Sequence, residues 1–297
     1  MRTGFWFRSL AAVTLPLLLC AGHANAEDTL AKIANSGEFV LGHRDKSLPF
    51  SYVENGKPVG YTVEICQQIF EEVKKELKRP DLKIRYALVQ GANRISDVKN
   101  GAVDVECGGT ANTLARQKEI AFSHHIFVAS SAFLVKKNSG FDTIAKLSGK
   151  KIAVQGKTTN EALLHANEKT YGNKFELVLT DSTGAAVDAV VSGKADAAFA
   201  DDAGMWVPLI KSGSDTQDYV FLEKRLSIEP YSIGFRKDDE KFKALVHKVT
   251  RGMFTSGEMT RLYKKWFNSE KGMLPMSTYM KEAFQRPSDY GVVPLAF

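Results

Sequence analysis

Three arginines stand where strand-like runs end or short helices begin: Arg44, Arg94 and Arg116. Arginine stays charged at any working pH, and its planar fork grips a carboxylate through two N–H groups at once, which a lysine cannot do. One such residue alone reads as a solvated arginine pairing with nearby acids. Three of them, answered by the Asp201-Asp202 pair at a strand end in the second half, point to a site for a zwitterion carrying extra negative charge. The histidines show no ligand spacing beyond the adjacent His124-His125 pair, and no Cys/His pattern suits a metal or a redox centre. Neither metal nor cofactor is expected.

The elements that must position these residues alternate between strand and helix. Asp28 and Thr29 can cap a helix ending near Ser36-Gly37, and Glu38 to Gly42 then reads as a strand that delivers His43 and Arg44 to a loop. Asn55-Gly56 and Pro58-Val59-Gly60 punctuate a hairpin over 52–61. From Thr62 to Lys78 the apolar stripe Ile65, Ile69, Val73 and Leu77, with Cys66 and Phe70 beside it, repeats at helical spacing and belongs in a core. Two stretches echo each other: 95–105 reads as helix, Asn100-Gly101 and strand, and 185–201 as helix, Ser192-Gly193 and strand, with Asp104 and Asp196 at matching places. Helices are also expected at 239–254 and 257–267.

This pattern predicts two similar α/β lobes with mostly parallel sheets, whose ligands bind beyond the strand C-terminal ends. The strands at 132–136 and 231–236 read as two crossovers that insert the second lobe into the first: 27–133 and 234–297 form one lobe, 134–233 the other. Two connecting strands restrict the motion to a hinge, so that the lobes close on what lies between them.

At the N-terminus Arg2 and Arg8 precede an apolar run from Leu10 to Cys20, followed by Ala24-Asn25-Ala26, the small-x-small pattern of a cleaved signal peptide. The run is too short and too interrupted by Pro16 to span a bilayer, and Leu19 argues against lipidation at Cys20. Removing 26 of the 297 residues leaves 271. The leader holds two of the 40 basic residues and none of the 34 acidic ones, so the net charge falls from +6 to +4. The basic residues are dispersed and no nucleic-acid motif is present, which sets nucleic acid aside as a partner. Cys66 and Cys107 remain; sequence leaves open whether they form a bridge or stay as buried thiols.

The segments LGHRDKSLPFSYVENGKPVGY, GANRISDVKNGAVDVECGGTANTLARQKEIAFS, KKIAVQGKTTNEALL and SGKADAAFADDA resemble the extracellular solute-binding proteins of ABC-type polar amino acid importers, and among these the glutamate/aspartate binders. The resemblance runs from about Leu30 to about Phe284. It implies a two-lobe periplasmic binding protein fold of type II, a periplasmic and monomeric protein, an amino acid ligand and a membrane-embedded permease as partner. It implies that Arg116 grips the ligand α-carboxylate, that Asp201 receives the α-ammonium from the opposite lobe, and that Thr110 offers backbone and hydroxyl contacts. Thr158 or Thr159 caps a helix and touches the ligand on closure, while Arg44 and Arg94 meet a side-chain carboxylate; Asp202 reads as a structural cap instead.

The chain departs from the acidic-amino-acid binders near the distal end of the site. Gly91 and Gly109 stand where serine is common, Ala111 replaces a threonine, and Ser182 or Thr183 stands where a histidine is common. Lost donors predict a roomier pocket, open to a ligand longer than glutamate, although two unused arginines argue against a neutral one. A rival reading is a secreted enzyme of the same fold, such as a cyclohexadienyl- or arogenate-type dehydratase, with Glu106, Asp201 or Asp202 as general acid or base. No nucleophile–base constellation supports it. A lytic transglycosylase would need a longer tail, and a sensory module a membrane span with a cytoplasmic region.

Overall fold

The computed structural model describes residue 1 and residues 28–269, 272–274 and 276–292. The expected leader, apart from Met1, and the expected cleavage point lie outside these residues. Among the described residues no helix is long and apolar enough to cross a membrane.

The helices are α1 (Thr29–Ser36), α2 (Tyr61–Leu77), α3 (Arg94–Lys99), α4 (Leu114–Gln117), α5 (Thr159–Tyr171), α6 (Thr183–Val191), α7 (Asp202–Lys211), α8 (Glu240–Thr255), α9 (Glu258–Phe267) and α10 (Thr278–Gln285). The strands are β1 (Glu38–His43), β2 (Lys46–Ser47), β3 (Ser51–Glu54), β4 (Lys57–Val59), β5 (Lys83–Leu88), β6 (Val105–Ala111), β7 (Ile120–Phe122), β8 (Phe127–Lys136), β9 (Lys151–Gln155), β10 (Glu176–Thr180), β11 (Ala197–Asp201), β12 (Tyr219–Phe221), β13 (Ser227–Arg236), β14 (Asn268–Ser269) and β15 (Gly272–Met273). The expected helices form within a residue or two of where the patterning put them, whereas the crossover strands expected at 132–136 and 231–236 begin four to five residues earlier, at Phe127 and Ser227. Asp28 caps α1 by accepting the Ala31 N–H at 2.7 Å, and Asn55-Gly56 turns β3 into β4 with both residues at positive φ. The α2 stripe is buried, apart from half-buried Leu77, because these positions share one face of a 3.6-residue period.

The main sheet runs β10-β9-β11-β8-β13-β6-β1-β5, with β12 on β8 and β7 on β13. Its two ends are parallel, β1 with β5 and β6, and β9 with β10 and β11. Its middle is antiparallel, because β8 carries the chain out of the first lobe and β13 brings it back. The expectation of mostly parallel sheets therefore holds only for the outer strands. Residues 127–131 of β8 pair with β13 and residues 131–135 with β11, so one continuous strand belongs to both halves. Each half buries its own apolar clusters: Phe39, Leu41, Ile65 and Phe235 on one side, Phe133, Val154, Leu164 and Phe199 on the other.

The internal echo has a physical basis. Gly101 and Gly193 adopt left-handed φ of 72° and 76° after their helices. Asp104 Oδ2 then accepts the Val40 N–H of β1 at 2.7 Å, and Asp196 Oδ2 accepts the Lys151 N–H of β9 at 2.9 Å. In each half the aspartate holds the start of the neighbouring parallel strand. Cys66 and Cys107 form a disulfide, with Cα atoms 6.4 Å apart, tying α2 to β6.

Candidate functional site

A cavity of about 60 Å³ lies between the lobes at the ends of β1, β6 and β11, lined by Arg44, Arg94, Arg116, Thr158, Thr159 and Asp201 among others. Six of the seven expected ligand contacts thus share one wall-to-wall space. Thr110 does not: it is sealed within the sheet opposite Ser232, and its hydroxyl has no hydrogen-bond partner. Its neighbours Gly109 and Ala111 reach the cavity instead.

The arginines are held from one side. Arg44 follows β1, is 5% exposed, and donates its backbone N–H to Ser51 Oγ at 2.9 Å. Arg94 opens α3 and is buried. The Nε atoms of both have no hydrogen-bond partner, so each fork retains donor capacity. Arg116 on α4 donates Nη1–H to Ala111 O at 2.8 Å. Burial and the nearby Arg94 lower the Arg116 guanidinium to about 10, and the same two causes, burial first, lower Arg44. Opposing them is Glu106 of β6, sealed from solvent, with both carboxylate oxygens unpartnered and no place on the cavity wall. A side chain at Gly108 would strike both groups, since its Cβ would fall 2.2 Å from Glu106 Oε1 and 2.7 Å from Arg44 Cγ.

The second lobe answers with Asp201 at the end of β11. Its Oδ1 accepts Ser131 Oγ–H at 3.0 Å and Asn160 Nδ2–H at 3.1 Å, and its Oδ2 accepts the Tyr231 hydroxyl. Ser131 sits on β8 and Tyr231 on β13, so the carboxylate is aimed by both crossing strands. Thr158 is the N-cap of α5, its hydroxyl accepting the Glu161 N–H at 3.4 Å, and Thr159 begins the helix. The first-turn N–H groups of α5 have no intrahelical acceptor and face the cavity end of the element. Asp202 is the structural member of its pair: Oδ1 accepts the N–H groups of Ser130, at 3.2 Å, and Ala203, at 2.8 Å, which ties α7 to β8.

The glycines at the distal end do not leave it roomy. Gly109 has φ +73°, and a Cβ there would lie 3.1 Å from Phe50, whose ring packs against Tyr231 and Phe127 at centroid distances of 5.0 Å. At Gly91 the neighbouring groups are the Arg44 guanidinium and Gln155 Nε2 from the second lobe, so an amide stands near the position where a serine hydroxyl is absent. Gln155, Asn160, Tyr231, Phe50 and Glu229 were not singled out from sequence as ligand-facing or supporting residues. Of these, Asn160 and Tyr231 had a signal: one falls in the first turn of a helix expected to face the ligand, the other in a crossover strand.

At the mouth the lobes touch. Lys46 Nζ lies 2.6 Å from Asp181 Oδ2, and Lys211 Nζ lies 3.9 Å from Glu54 Oε1 and 4.8 Å from the centre of the Tyr52 ring. Among the described residues no group of three or more His, Cys, Asp or Glu side chains is placed to hold a metal; His124 instead meets Thr250 Oγ1 at 2.7 Å and packs against the tilted ring of His247 at a centroid distance of 4.5 Å.

Two lobes strung on two shared strands around a charged cleft are the build of a solute-binding protein that closes on its cargo. The chain belongs to the bacterial extracellular solute-binding proteins, family 3, which matches residues 39–269. It is 38% identical over 269 residues to the L-glutamate/L-aspartate-binding protein of Pseudomonas aeruginosa, covering 88% of this chain and 89% of that one. It is 36% identical over 299 residues to the glutamate/aspartate import solute-binding protein of Escherichia coli, covering 95% and 98%. The crystal structure of a P235GK mutant of ArgBP from T. maritima superimposes with a TM-score of 0.69 at 28% identity, over 81% of this chain and 99% of that chain.

Proposed function

We propose that this protein is the periplasmic capture component of an ABC importer for an acidic amino acid, working as a monomer that hands its ligand to a membrane-embedded permease. The observation that carries the ligand class is the meeting of three guanidiniums and one hydrogen-bonded carboxylate in a single small cavity. In this reading the first lobe comprises 27–133 and 234–297 and the second 134–233. Arg116 takes the α-carboxylate, Asp201 the α-ammonium, and Arg44 with Arg94 the distal carboxylate. The N-terminus of α5 and its threonines complete the grip when the lobes close, and Thr110 supports the wall from within the sheet. Relatives from Pseudomonas aeruginosa and Escherichia coli whose names specify glutamate and aspartate support the same ligand class. Two guanidinium Nε–H groups left without partners are costly beside a neutral side chain and satisfied by a carboxylate.

Binding without turnover is part of the proposal. Glu106 has no place on the cavity wall, and among the residues lining the cavity Asp201 is the single Asp, Glu or His, so the paired groups that acid–base work on a substrate carbon would need are not assembled there. Calorimetry with glutamate, aspartate and glutamine tests the ligand class; the expected result is binding of one or both acids at least ten-fold tighter than glutamine. Equal affinity for glutamine would refute the distal-carboxylate assignment. Product formation from glutamate or prephenate on incubation with the protein would instead favour the enzyme reading.

A further inference from the structure

Behind the cavity wall runs a row of four oxygens. Asp201 Oδ1 is 3.0 Å from Ser131 Oγ, Ser131 Oγ is 2.8 Å from Ser227 Oγ, and Ser227 Oγ is 2.7 Å from Glu229 Oε1. Ser131, Ser227 and Glu229 are fully buried, so no solvent hydrogen reaches the row. Three oxygen–oxygen contacts at these distances need three hydrogens, because two oxygens that present only lone pairs to each other repel. Each serine supplies one. Asn160 and Tyr231 bring their own hydrogens to Asp201 and stand outside the row. The third hydrogen must therefore sit on a carboxyl at one end.

We propose that Asp201 and Glu229 share a single proton through the Ser131–Ser227 pair, and that Glu229 holds it while Asp201 faces the ligand ammonium, which makes Glu229 a positioning residue for that contact. The role rests on the assignment of Asp201 given above. The two ends differ in what surrounds them. Asp201 accepts three side-chain donors and faces Arg116, whereas Glu229 accepts Ser227 alone on Oε1 and leaves Oε2 unpartnered, although the Thr159 hydroxyl faces the same carboxyl. The charged form belongs where donors and cations gather. Burial and then the charge of Asp201 push Glu229 up to about 7, while Ser227, Arg116 and Thr159 pull the other way. Burial raises Asp201 as well. The titratable groups around the pair are Arg116 from α4, Tyr231 from β13 itself, and Asp202 at the start of α7.

Transfer along the row balances: as the O–H bond at Asp201 breaks, Ser131 gains that hydrogen and passes its own to Ser227, which passes its own to Glu229. The electrostatics agree in sign: ionising Glu229 would add a negative charge beside a site proposed for an amino acid that carries two carboxylates and one ammonium.

Infrared difference spectroscopy on ligand-free protein tests the proton directly. The expected result at pH 6 is a carbonyl band of a buried protonated carboxylic acid that fades as pH rises through about 7 and is missing in Glu229→Gln. Because a glutamine amide donates where the acid O–H did, the variant is expected to bind glutamate at pH 6 within about three-fold of the unaltered protein and to lose its pH dependence between pH 6 and 8. The unaltered protein weakens over the same range. Absence of the acid band at pH 6 in unaltered protein, or a glutamine variant with the original pH dependence, overturns the proposal. An acid band in a protein that binds no acidic amino acid would leave the proton in place and remove the ligand reading alone.

Discussion

Arg116 gives one N–H to Ala111 O, so its guanidinium reaches the cavity with its aim already fixed. Removing it strands whatever anion it holds, a loss of about 2–5 kcal/mol for a desolvated charge contact. Arg116→Ala is therefore expected to weaken every amino acid ligand by roughly 30-fold or more, measured by calorimetry. Arg44→Ala and Arg94→Ala, by contrast, are expected to narrow the gap between glutamate and glutamine while leaving glutamine itself nearly unchanged. An equal loss for both ligands in all three variants would show that the arginines do not divide their work. The charged residues of the site were readable from sequence because type and strand-end position already restrict their chemistry. Glu229 and the two serines were not: their meaning lies in oxygen–oxygen distances between strands 96 residues apart in the chain, Ser131 and Ser227, and no local pattern encodes that separation.

At the scale of elements, Asp104 and Asp196 do the same task in different surroundings. Asp104 is buried and also pairs with Lys32 at 2.8 Å, whereas Asp196 is partly exposed. Asp104→Ala leaves the Val40 N–H without its acceptor and is expected to destabilise the protein by about 2–3 kcal/mol in urea unfolding. Asp196→Ala, where water can replace the carboxylate, is expected to cost less than half as much. Similar losses would mean that the shared motif, and not burial, sets the energy. The echo, the hairpin, the caps and the α2 stripe were visible because short-range periodicity and turn chemistry determine them. The antiparallel centre of the sheet was hidden, since it depends on which distant strands become neighbours, and so was the Cys66–Cys107 bond, which needs a helix and a strand brought to within reach.

Across the whole molecule, the lobes meet both around the cavity and at its mouth. Lys46 and Asp181 are both largely exposed, and ion pairs of this kind contribute little and are screened by salt. Asp181→Ala is expected to lower ligand affinity by no more than about five-fold at low ionic strength and to have almost no effect in high salt, with small-angle scattering showing a larger open fraction in the absence of ligand. A greater loss that persists in salt would place Asp181 in the ligand shell itself.

The path of the chain through β8 and β13 also sets an order of assembly. Glu106 of β6 meets Gly234 of β13 only after 128 further positions have been threaded past it, whereas β9, β10 and β11 find one another within a single uninterrupted stretch. The intervening module can therefore complete its own contacts while its host still waits for the closing strand, and the slow, long-range step belongs to the outer body. A newly made copy would pass through a stage in which the half bearing the carboxylate is finished and the half bearing the arginines is not.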